Sequence, residues 1–292
     1  MEAKIYTDAS RNTIRFLQFA KVEMDCSFRG LGIQYIVSGN IEFFANEKKL
    51  EAGAGDYIIG NASTSSVAKI RNNKQAEVIC IDISTETICE ICERYGIHCA
   101  DFRNYLMNDQ FLMNRYLARN SEFEQRIIWI YRQIKSGSPE KKWLSKELFY
   151  SLGKIIISEQ QEFFQQLNKI NLRSTVAKYD VFRSLLKARY FIDKEFLKAP
   201  DLDQLCTNAG ISRFYFCRLF KLVWGISPYQ YMKKKKLELA CHEISKGKSI
   251  AEVGFMIGFS DAAAFSKSFK QYYGYNPGNL KKVKSLSEVP TN

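Results

Sequence analysis

The chain has 292 residues, enough for two domains with separate cores, and a formal net charge of +12. No stretch approaches the about 18 consecutive apolar residues of a membrane span, and the first residues lack the basic start and apolar core of a signal peptide. Composition therefore argues against a membrane or secreted protein, and we expect a cytoplasmic protein whose eight cysteines are reduced.

Residues from about 10 to 85 are predicted to form a small β-barrel or jelly roll. Short apolar runs bounded by glycine and polar residues identify the strands, which include 32–37, 41–44, 56–59 and 78–81. Ser38-Gly39-Asn40 lies between the first two of these strands and predicts a β-hairpin.

The hydrophobic pattern changes to helical spacing after residue 85. Apolar side chains recur every three or four positions in four segments, which we predict as helices: 87–95, 122–134, 139–167 and 176–193. Ser138 and Pro139 are suited to the cap and first position of the third helix. The polar segment 168–174 is the predicted linker. We therefore place one domain at 1–172, with its helices at about 86–168, and a second at 173–292.

Four residues that can bind metals lie close together in the first helical segment. Cys89, Cys92, His98 and Cys99 fall within eleven residues and suggest a zinc or redox site. Against this, Cys89 and Cys92 share a predicted amphipathic helix, where cysteine is an ordinary small apolar residue. We predict no metal site and no cofactor, and a role for these four residues stays open.

The last hundred residues contain the same pattern twice, at an offset of 48 residues that becomes 49 after one insertion. Each copy predicts a short helix, a glycine turn at Gly210 or Gly258, and a second helix that ends in an aromatic–basic pair. This is the pattern of a helix-turn-helix, whose second helix enters the DNA major groove. The two units span about 201–223 and 249–273.

The starts of both units carry capping signals. Asp201 is followed three residues later by Gln204, and Ser249 by Glu252, so each pair can form a capping box. Leu205, Val253 and Phe255 are among the apolar residues that we expect to pack inward. A helix from Ser227-Pro228 to about Ser245 connects the units.

The repeat coincides with the basic part of the chain. From Lys178 onward there are 20 Lys and Arg against 10 Asp and Glu, whereas the first 177 residues hold 23 against 21. This asymmetry favours a polyanion-binding domain joined to a second, nearly neutral one. The alternative is that the basic charge only keeps the domain in solution.

The outward face of the first predicted recognition helix carries the candidate DNA contacts. Phe216, Leu219 and Phe220 should be core, which leaves Arg213, Phe214, Cys217, Arg218 and Lys221 outside. Phe214 could instead extend the core. The forked guanidinium of Arg218 matches guanine in the major groove, and Lys221 is better placed for phosphate.

Several motifs of both units resemble the AraC/XylS family of transcription regulators. The second unit matches through Ile250-Ala251-Glu252-Val253, Gly258-Phe259-Ser260-Asp261, Phe265-Ser266-Lys267, Phe269-Lys270 and Gly274-Tyr275-Asn276-Pro277. The first matches through Gly210-Ile211-Ser212, Arg218-Leu219-Phe220-Lys221 and Gly225-Ile226-Ser227-Pro228-Tyr229-Gln230-Tyr231. The resemblance covers about 178–284.

This resemblance implies an α+β protein that binds double-stranded promoter DNA through a seven-helix domain of two helix-turn-helix units. Such regulators usually activate transcription, with RNA polymerase as the expected partner. The positions equivalent to base-contacting residues of the family are Phe214, Cys217 and Arg218 in the first unit and Ala262, Ala263, Ser266 and Lys267 in the second. Lys270 is the candidate phosphate contact of the second unit.

The second unit departs from the family pattern. Members often carry Gln, Ser or Thr where this chain has Ala262, Ala263 and Ala264. Alanine offers no hydrogen bond and can only approach a thymine methyl group. We therefore expect the first unit to read a defined half-site and the second to tolerate more variation.

The resemblance also implies a cupin-like β-barrel in the N-terminal half, which binds a small effector, followed by helices that form a homodimer. The effector-binding residues cannot be named from the sequence. The two histidines, His98 and His242, lie outside the predicted barrel, and no catalytic motif is present, which disfavours an enzyme. A regulator controlled by a protein partner or by assembly, without a small ligand, is the alternative.

Overall fold

The structure is a computed structural model and describes residues 2–20, 23–45, 48–64, 66–69, 75–108, 114–118, 121–137 and 143–280. It divides into two compact units, Met1–Leu186 and Lys187–Asn292. This division falls inside a helix, Thr175–Glu195, rather than in the polar segment 168–174. The domain boundary at 172/173, which was placed from composition, stays a prediction.

The described strands of the first unit form two antiparallel sheets. They are β1 (Glu2–Thr7), β2 (Thr13–Ala20), β3 (Glu23–Asp25), β4 (Leu31–Ser38), β5 (Asn40–Ala45), β6 (Lys48–Gly53), β7 (Asp56–Asn61), β8 (Ser66–Lys69), β9 (Gln75–Ile83) and β10 (Asn114–Leu117). The six-stranded sheet has the order β1-β2-β9-β4-β7-β10 and the four-stranded sheet β3-β8-β5-β6. This confirms the predicted cupin-like fold, in the form of a two-sheet jelly roll rather than a closed barrel.

Alternation along the strands explains how the sheets pack. Ile36, Ile58 and Val78 of the larger sheet form one apolar cluster with Ile41 and Phe43 of the smaller sheet, and all five side chains are buried. The intervening residues of the larger sheet point to its other face, because successive side chains of a strand alternate. That second face packs against helices, so that the larger sheet is covered on both sides.

The predicted hairpin at Ser38-Gly39-Asn40 is wrong. Strand β4 pairs with β7 and β9, whereas β5 pairs with β6 and β8 in the other sheet. Gly39 has a φ of 86°, and a Cβ there would lie 2.8 Å from the Cβ of Ala76. The glycine signal for a turn was correct, but the turn carries the chain from one sheet to the other.

Two strands lie outside the predicted β segment and extend the edges of the larger sheet. Strand β1 pairs with β2 from Glu2↔Gln18 to Thr7↔Thr13, before the segment begins. Strand β10 pairs with β7 after two intervening helices, within a region predicted to be helical or unstructured. The alternation of Ala3 and Ile5 with Lys4 and Tyr6 could have revealed β1, whereas the four residues of β10 carry no comparable signal.

Five further helices are described before the helix-turn-helix units. Helices α1 (Thr85–Arg94) and α2 (Ala100–Met107) lie between β9 and β10, and α3 (Glu122–Ser136), α4 (Lys146–Asn168) and α5 (Thr175–Glu195) follow β10. Helices α3 and α4 cover the outer face of the larger sheet. The Tyr57 ring lies 4.6 Å from that of Phe123 of α3, and the Tyr57 hydroxyl donates a hydrogen bond to Glu159 of α4 at 2.7 Å.

Helix α4 begins later than predicted. Ser145 accepts a hydrogen bond from the backbone N–H of Leu148 and caps the helix, so it starts at Lys146 and not at Pro139. Ser138 and Pro139 lie outside the described residues. The predicted cap was plausible locally, but Ser145 offers an equivalent cap closer to the apolar face that packs on the sheet.

The second compact part of the chain, Lys187–Asn292, is all helical in its described residues. It contains the end of α5 and then α6 (Leu202–Ala209), α7 (Arg213–Trp224), α8 (Pro228–Ser245), α9 (Ile250–Met256) and α10 (Ala262–Tyr273). The predicted helix boundaries here are confirmed to within about one residue. Among the described residues, no helix combines the length and apolar character needed to cross a bilayer.

Candidate nucleic-acid interface

The first helix-turn-helix comprises α6, a turn at Gly210, and α7. Asp201 accepts a hydrogen bond from Gln204 N at 2.8 Å, and the Gln204 side chain accepts one from Asp201 N at 3.1 Å. The predicted capping box is therefore confirmed. Gly210 ends α6 with a φ of 66°, in the left-handed region that costs glycine little.

The second helix-turn-helix comprises α9, a turn at Gly258, and α10. Ser249 and Glu252 form the predicted capping box at the start of α9. Asp261 caps α10 by accepting a hydrogen bond from the backbone N–H of Ala264 at 2.7 Å. The two units thus share the capping box and the glycine turn, as the sequence repeat predicted, whereas only α10 has a side-chain cap.

Aromatic packing determines which face of each recognition helix is buried. In α7, the ring of Phe220 lies 5.5 Å from Phe216 and 4.2 Å from Trp224. In α10, the ring of Phe269 lies 5.7 Å from Phe265 and 4.6 Å from Tyr273. All four phenylalanines are fully buried. Because these side chains point inward, the remaining faces of α7 and α10 are left for a ligand.

The exposed face of α7 is aromatic and basic. Phe214 is 80% exposed, so the alternative that it extends the core is wrong. Arg213, Arg218 and Lys221 are also exposed, and Cys217 is half-buried beside them. This face contains every residue that we predicted for it.

Two contacts position the arginines of this face. The Arg218 guanidinium lies over the ring of Tyr215, 5.3 Å from its centroid, so Arg218 is partly ordered before DNA binds. Arg213 lies 3.7 Å from Asp203, and both side chains are exposed. Such a surface ion pair is weak enough to be exchanged for a contact with DNA.

The exposed face of α10 carries smaller side chains than that of α7 and has no aromatic residue like Phe214. Ala263 and Ala264 are exposed, and Ala262 and Ser266 are half-buried. Lys267 and Lys270 supply the basic groups and are both exposed. The structure therefore places all the predicted second-unit residues on one surface, in which small side chains predominate.

Helix α8 connects the two helix-turn-helix units and limits the distance between their recognition helices. Its 18 residues span about 27 Å, against the about 34 Å between successive major grooves on one side of DNA. Two of the four lysines in the run 233–236 form ion pairs within the protein. Lys235 lies 3.4 Å from Asp193, and Lys234 lies 3.8 Å from Glu238.

One predicted core residue of the second unit is exposed. Phe255 is 64% exposed, although we expected it to pack inward. Val253 and Ile257 are buried and lie four residues apart, on the inner side of the unit. Phe255 lies two positions from each of them, about 200° around a helix, and therefore points to solvent.

The four candidate metal ligands of the N-terminal half, Cys89, Cys92, His98 and Cys99, do not form a cluster. Cys92 is buried in α1, whereas Cys89, His98 and Cys99 are exposed. Within the described ranges, no three His, Cys, Asp or Glu residues are placed to hold a metal ion. Burial raises the pKa of the Cys92 thiol, consistent with a small apolar residue of the helix.

Comparisons with known proteins agree with this geometry. A family model described as a helix-turn-helix domain matches residues 205–282. An AraC-like transcription regulator of Streptomyces antibioticus is 29% identical over 80 residues, which are 27% of this chain and 26% of that protein. The C-terminal part of the chain is therefore similar to AraC-like transcription regulators.

Other relatives differ in how much of the chain they match. The transcriptional regulator LumQ of Photobacterium leiognathi is 33% identical over 88 residues, 30% of this chain and 36% of LumQ. An HTH-type transcriptional regulator of Bacillus subtilis, YdeC, is 21% identical over 256 residues, 86% of this chain and 83% of YdeC. The chain thus matches about a third of the length of LumQ.

Proposed function

We propose that this protein binds double-stranded promoter DNA through α7 and α10 and thereby regulates transcription, as AraC-like regulators do. Two capped helix-turn-helix units, each with its aromatic side buried and its basic side exposed, carry this proposal. Arg218 and Phe214 read bases in the first unit together with Arg213 and Cys217. In the second unit, Ala262, Ala263, Ser266 and Lys267 meet the bases.

A binding titration of the full chain tests this function. We expect tight binding to a duplex selected from a random library, and an affinity that falls steeply with salt because counterions are released. Arg218→Ala should weaken binding to the selected duplex, whereas Lys49→Ala, which removes one surface charge from the β domain, should not. Failure to bind any duplex at low salt would contradict the proposal.

We further propose that the protein is an activator whose N-terminal domain responds to a small-molecule effector. The two-sheet domain supports this, because folds of this class can enclose a small ligand. RNA polymerase is the partner that such an activator recruits. Transcription from the selected promoter, measured with purified polymerase, should rise on adding the protein, and a fall would identify a repressor.

The protein is also proposed to act as a homodimer through its α3 and α4 helices. Ile128 and Trp129 of α3 are partly exposed although both are large and apolar. Light scattering at micromolar concentration should give the mass of a dimer, and Trp129→Lys should shift it toward the monomer. A monomer for the unsubstituted chain would leave α3 and α4 with only their role of covering the sheet.

A further inference from the structure

Tyr215 lies on α7 three positions before Arg218, so the two side chains lie on the same side of the helix. Tyr215 is half-buried, whereas Arg218 is exposed. The Arg218 guanidinium lies over the Tyr215 ring, 5.3 Å from its centroid. The ring thus lies between the packed interior of the unit and a side chain that would otherwise extend into solvent.

The contact with Tyr215 is what orders the Arg218 guanidinium. Within the part of the chain that the structure describes, no carboxylate lies within 4.0 Å of Arg218 and no hydrogen bond fixes its side chain. Arg213, five positions earlier on α7, is instead paired with Asp203 at 3.7 Å. The two arginines of this face are therefore held in different ways, one by an acid and the other by a ring.

Stacking on a ring occupies the face of a guanidinium and leaves its edge free. The N–H donors of arginine lie in the plane of the group. Arg218 can therefore stay over Tyr215 while its in-plane donors reach O6 and N7 of a guanine in the major groove. An acidic partner would occupy those same donors. The Tyr215 ring thus orders Arg218 without competing with the base.

This ordering affects discrimination between sequences. Immobilising one long side chain on binding costs about two- to tenfold in affinity. A ring that restricts Arg218 beforehand removes part of this cost for the conformation that reaches the bases. An unrestricted arginine can also turn to a phosphate of any sequence, whereas Arg218 gives up the ring contact when it does so. The ring therefore favours guanine over other bases more than it favours DNA in general.

The second helix-turn-helix lacks both members of this pair. At the offset of 49 residues, Ala264 takes the place of Tyr215. Lys267 takes the place of Arg218 and has no planar fork to stack on a ring. Both Ala264 and Lys267 are exposed. The chain thus contains a matched position on α10 at which the ring and the guanidinium are absent.

We propose that Tyr215 is a positioning residue of the first helix-turn-helix, which holds the Arg218 guanidinium for guanine and so determines sequence specificity. Tyr215 is not among the predicted base contacts, and its contribution acts through Arg218. This inference rests on the proposed binding of promoter DNA and names a residue that sets the selectivity of that binding.

Affinities of the full chain for paired duplexes test this role. The duplex from a binding-site selection is compared with versions that carry single base-pair changes, and Arg218→Ala identifies the base pair that Arg218 reads. At that pair, Tyr215→Leu should reduce the preference for guanine about three- to tenfold. Tyr215→Phe keeps the ring and should retain the preference. Tyr95→Leu is the matched control, because it removes a ring that lies 4.6 Å from Lys154 Nζ in the N-terminal half.

A double-substitution cycle separates positioning from a direct role of Tyr215. In the Arg218→Ala background, Tyr215→Leu should have no further effect on base preference, because the ring acts through Arg218. An equal effect in both backgrounds, or full guanine preference in Tyr215→Leu, would overturn the proposal. The same loss in Tyr215→Phe as in Tyr215→Leu, or no change of preference at any base pair in Arg218→Ala, would overturn it as well.

The second unit allows the reverse experiment. Lys267→Arg places a guanidinium on α10 without a ring, and adding Ala264→Tyr supplies the ring at an exposed position. We expect the double variant to prefer guanine at one base pair of the second half-site about threefold more strongly than Lys267→Arg alone. Equal preference in the two variants would contradict the proposed role of the ring.

The DNA-free protein gives a measurement that does not depend on DNA binding. Protons held over an aromatic ring are shifted upfield in NMR spectra. In the arginine-labelled full chain, the δ-proton resonances of Arg218 should therefore move downfield in Tyr215→Leu and stay in place in Tyr215→Phe. A protein that shows this ring shift but binds no duplex would contradict the DNA-binding function. One that binds a selected duplex without the ring shift would contradict only the role of Tyr215.

Discussion

The two helix-turn-helix units are built alike but present different surfaces. Each begins with a capping box, turns at a left-handed glycine and buries two phenylalanines of its recognition helix. The first unit then exposes Phe214 and Arg218, whereas the second exposes Ala263 and Ala264. Packing requirements keep the scaffold of the repeat the same, while the outward positions are free to differ. The buried scaffold of each unit and its exposed face therefore vary independently in this chain.

The largest effect is expected from the scaffold, and it should be the same in both units. Phe220→Ala and Phe269→Ala each remove a fully buried ring that contacts three aromatic residues. We expect each to lower the free energy of unfolding by about 3–5 kcal/mol, measured by urea denaturation. Phe214→Ala, at an exposed position, is the control and should change it by less than about 0.5 kcal/mol. A large difference between the two core variants would show that the units are not equivalent.

How far the sequence predicted the molecule also differs between its regions. In the C-terminal helical region, the helices, the capping boxes and the exposed faces of α7 and α10 were predicted closely, because each is set by residues a few positions apart, such as Asp201 with Gln204. In the N-terminal two-sheet region, the turn at Gly39 was predicted, but the pairing of the strands on either side of it was not. Pairing depends on strands distant in the chain, which local patterns do not encode.

The inner face of the larger sheet, which borders the smaller sheet, shows the same limit. Arg15 and Gln34 are separated by 19 positions and look unrelated in the sequence. Only the register that pairs both with Cys80 brings them together. Phe255 is an error of the opposite kind, since a local apolar pattern suggested burial and the three-dimensional packing left it exposed. The sequence thus predicted the helices and most of their exposed faces, but it did not predict which distant residues the strand pairing brings together.

Base recognition should separate the two units. Arg218→Ala removes a side chain able to make two hydrogen bonds to guanine, worth about 1–3 kcal/mol of discrimination. We expect relaxed preference at one or two base pairs of the first half-site in a binding-site selection experiment. Ser266→Ala, in the second unit, should change the selected sequence less. If the half-site bound by the second helix-turn-helix proves the more sharply defined, the expectation that the face with Ala262, Ala263 and Ala264 tolerates sequence variation is wrong.

Phosphate contacts should behave alike in both units. Lys221 and Lys270 lie in the last turns of α7 and α10 and are both exposed. Lys221→Ala and Lys270→Ala should each weaken binding about equally on all sequences and reduce the salt dependence of binding by about one counterion. Lys235→Ala is the control, because this lysine is paired with Asp193 and Glu238. A change in sequence preference on replacing either lysine would assign it a base contact instead.

The smallest expected effect concerns the caps of the recognition helices, which differ between the units. Ser212 makes no side-chain cap bond to α7, whereas Asp261 caps α10. The backbone N–H of Ala264, and next the Ser260 hydroxyl, hold the pKa of Asp261 below its ordinary value. A carboxyl group whose pKa is lowered in the folded state stabilises the protein above its unfolded pKa of 3.8, and this contribution is lost as the pH falls through the folded pKa.

Asp261→Asn keeps a capping oxygen but removes the charge, so we expect a small loss of stability at neutral pH. In urea denaturation, the difference from the unsubstituted chain should be constant between about pH 7 and about pH 5 and should shrink below about pH 4, where Asp261 becomes protonated. Ser212→Ala should show no such pH dependence, because that side chain neither ionises nor caps α7. A difference that grows as the pH falls would mean that the charge of Asp261 destabilises the folded unit. Asp261 would then contribute no more to the stability of α10 than Ser212 contributes to that of α7.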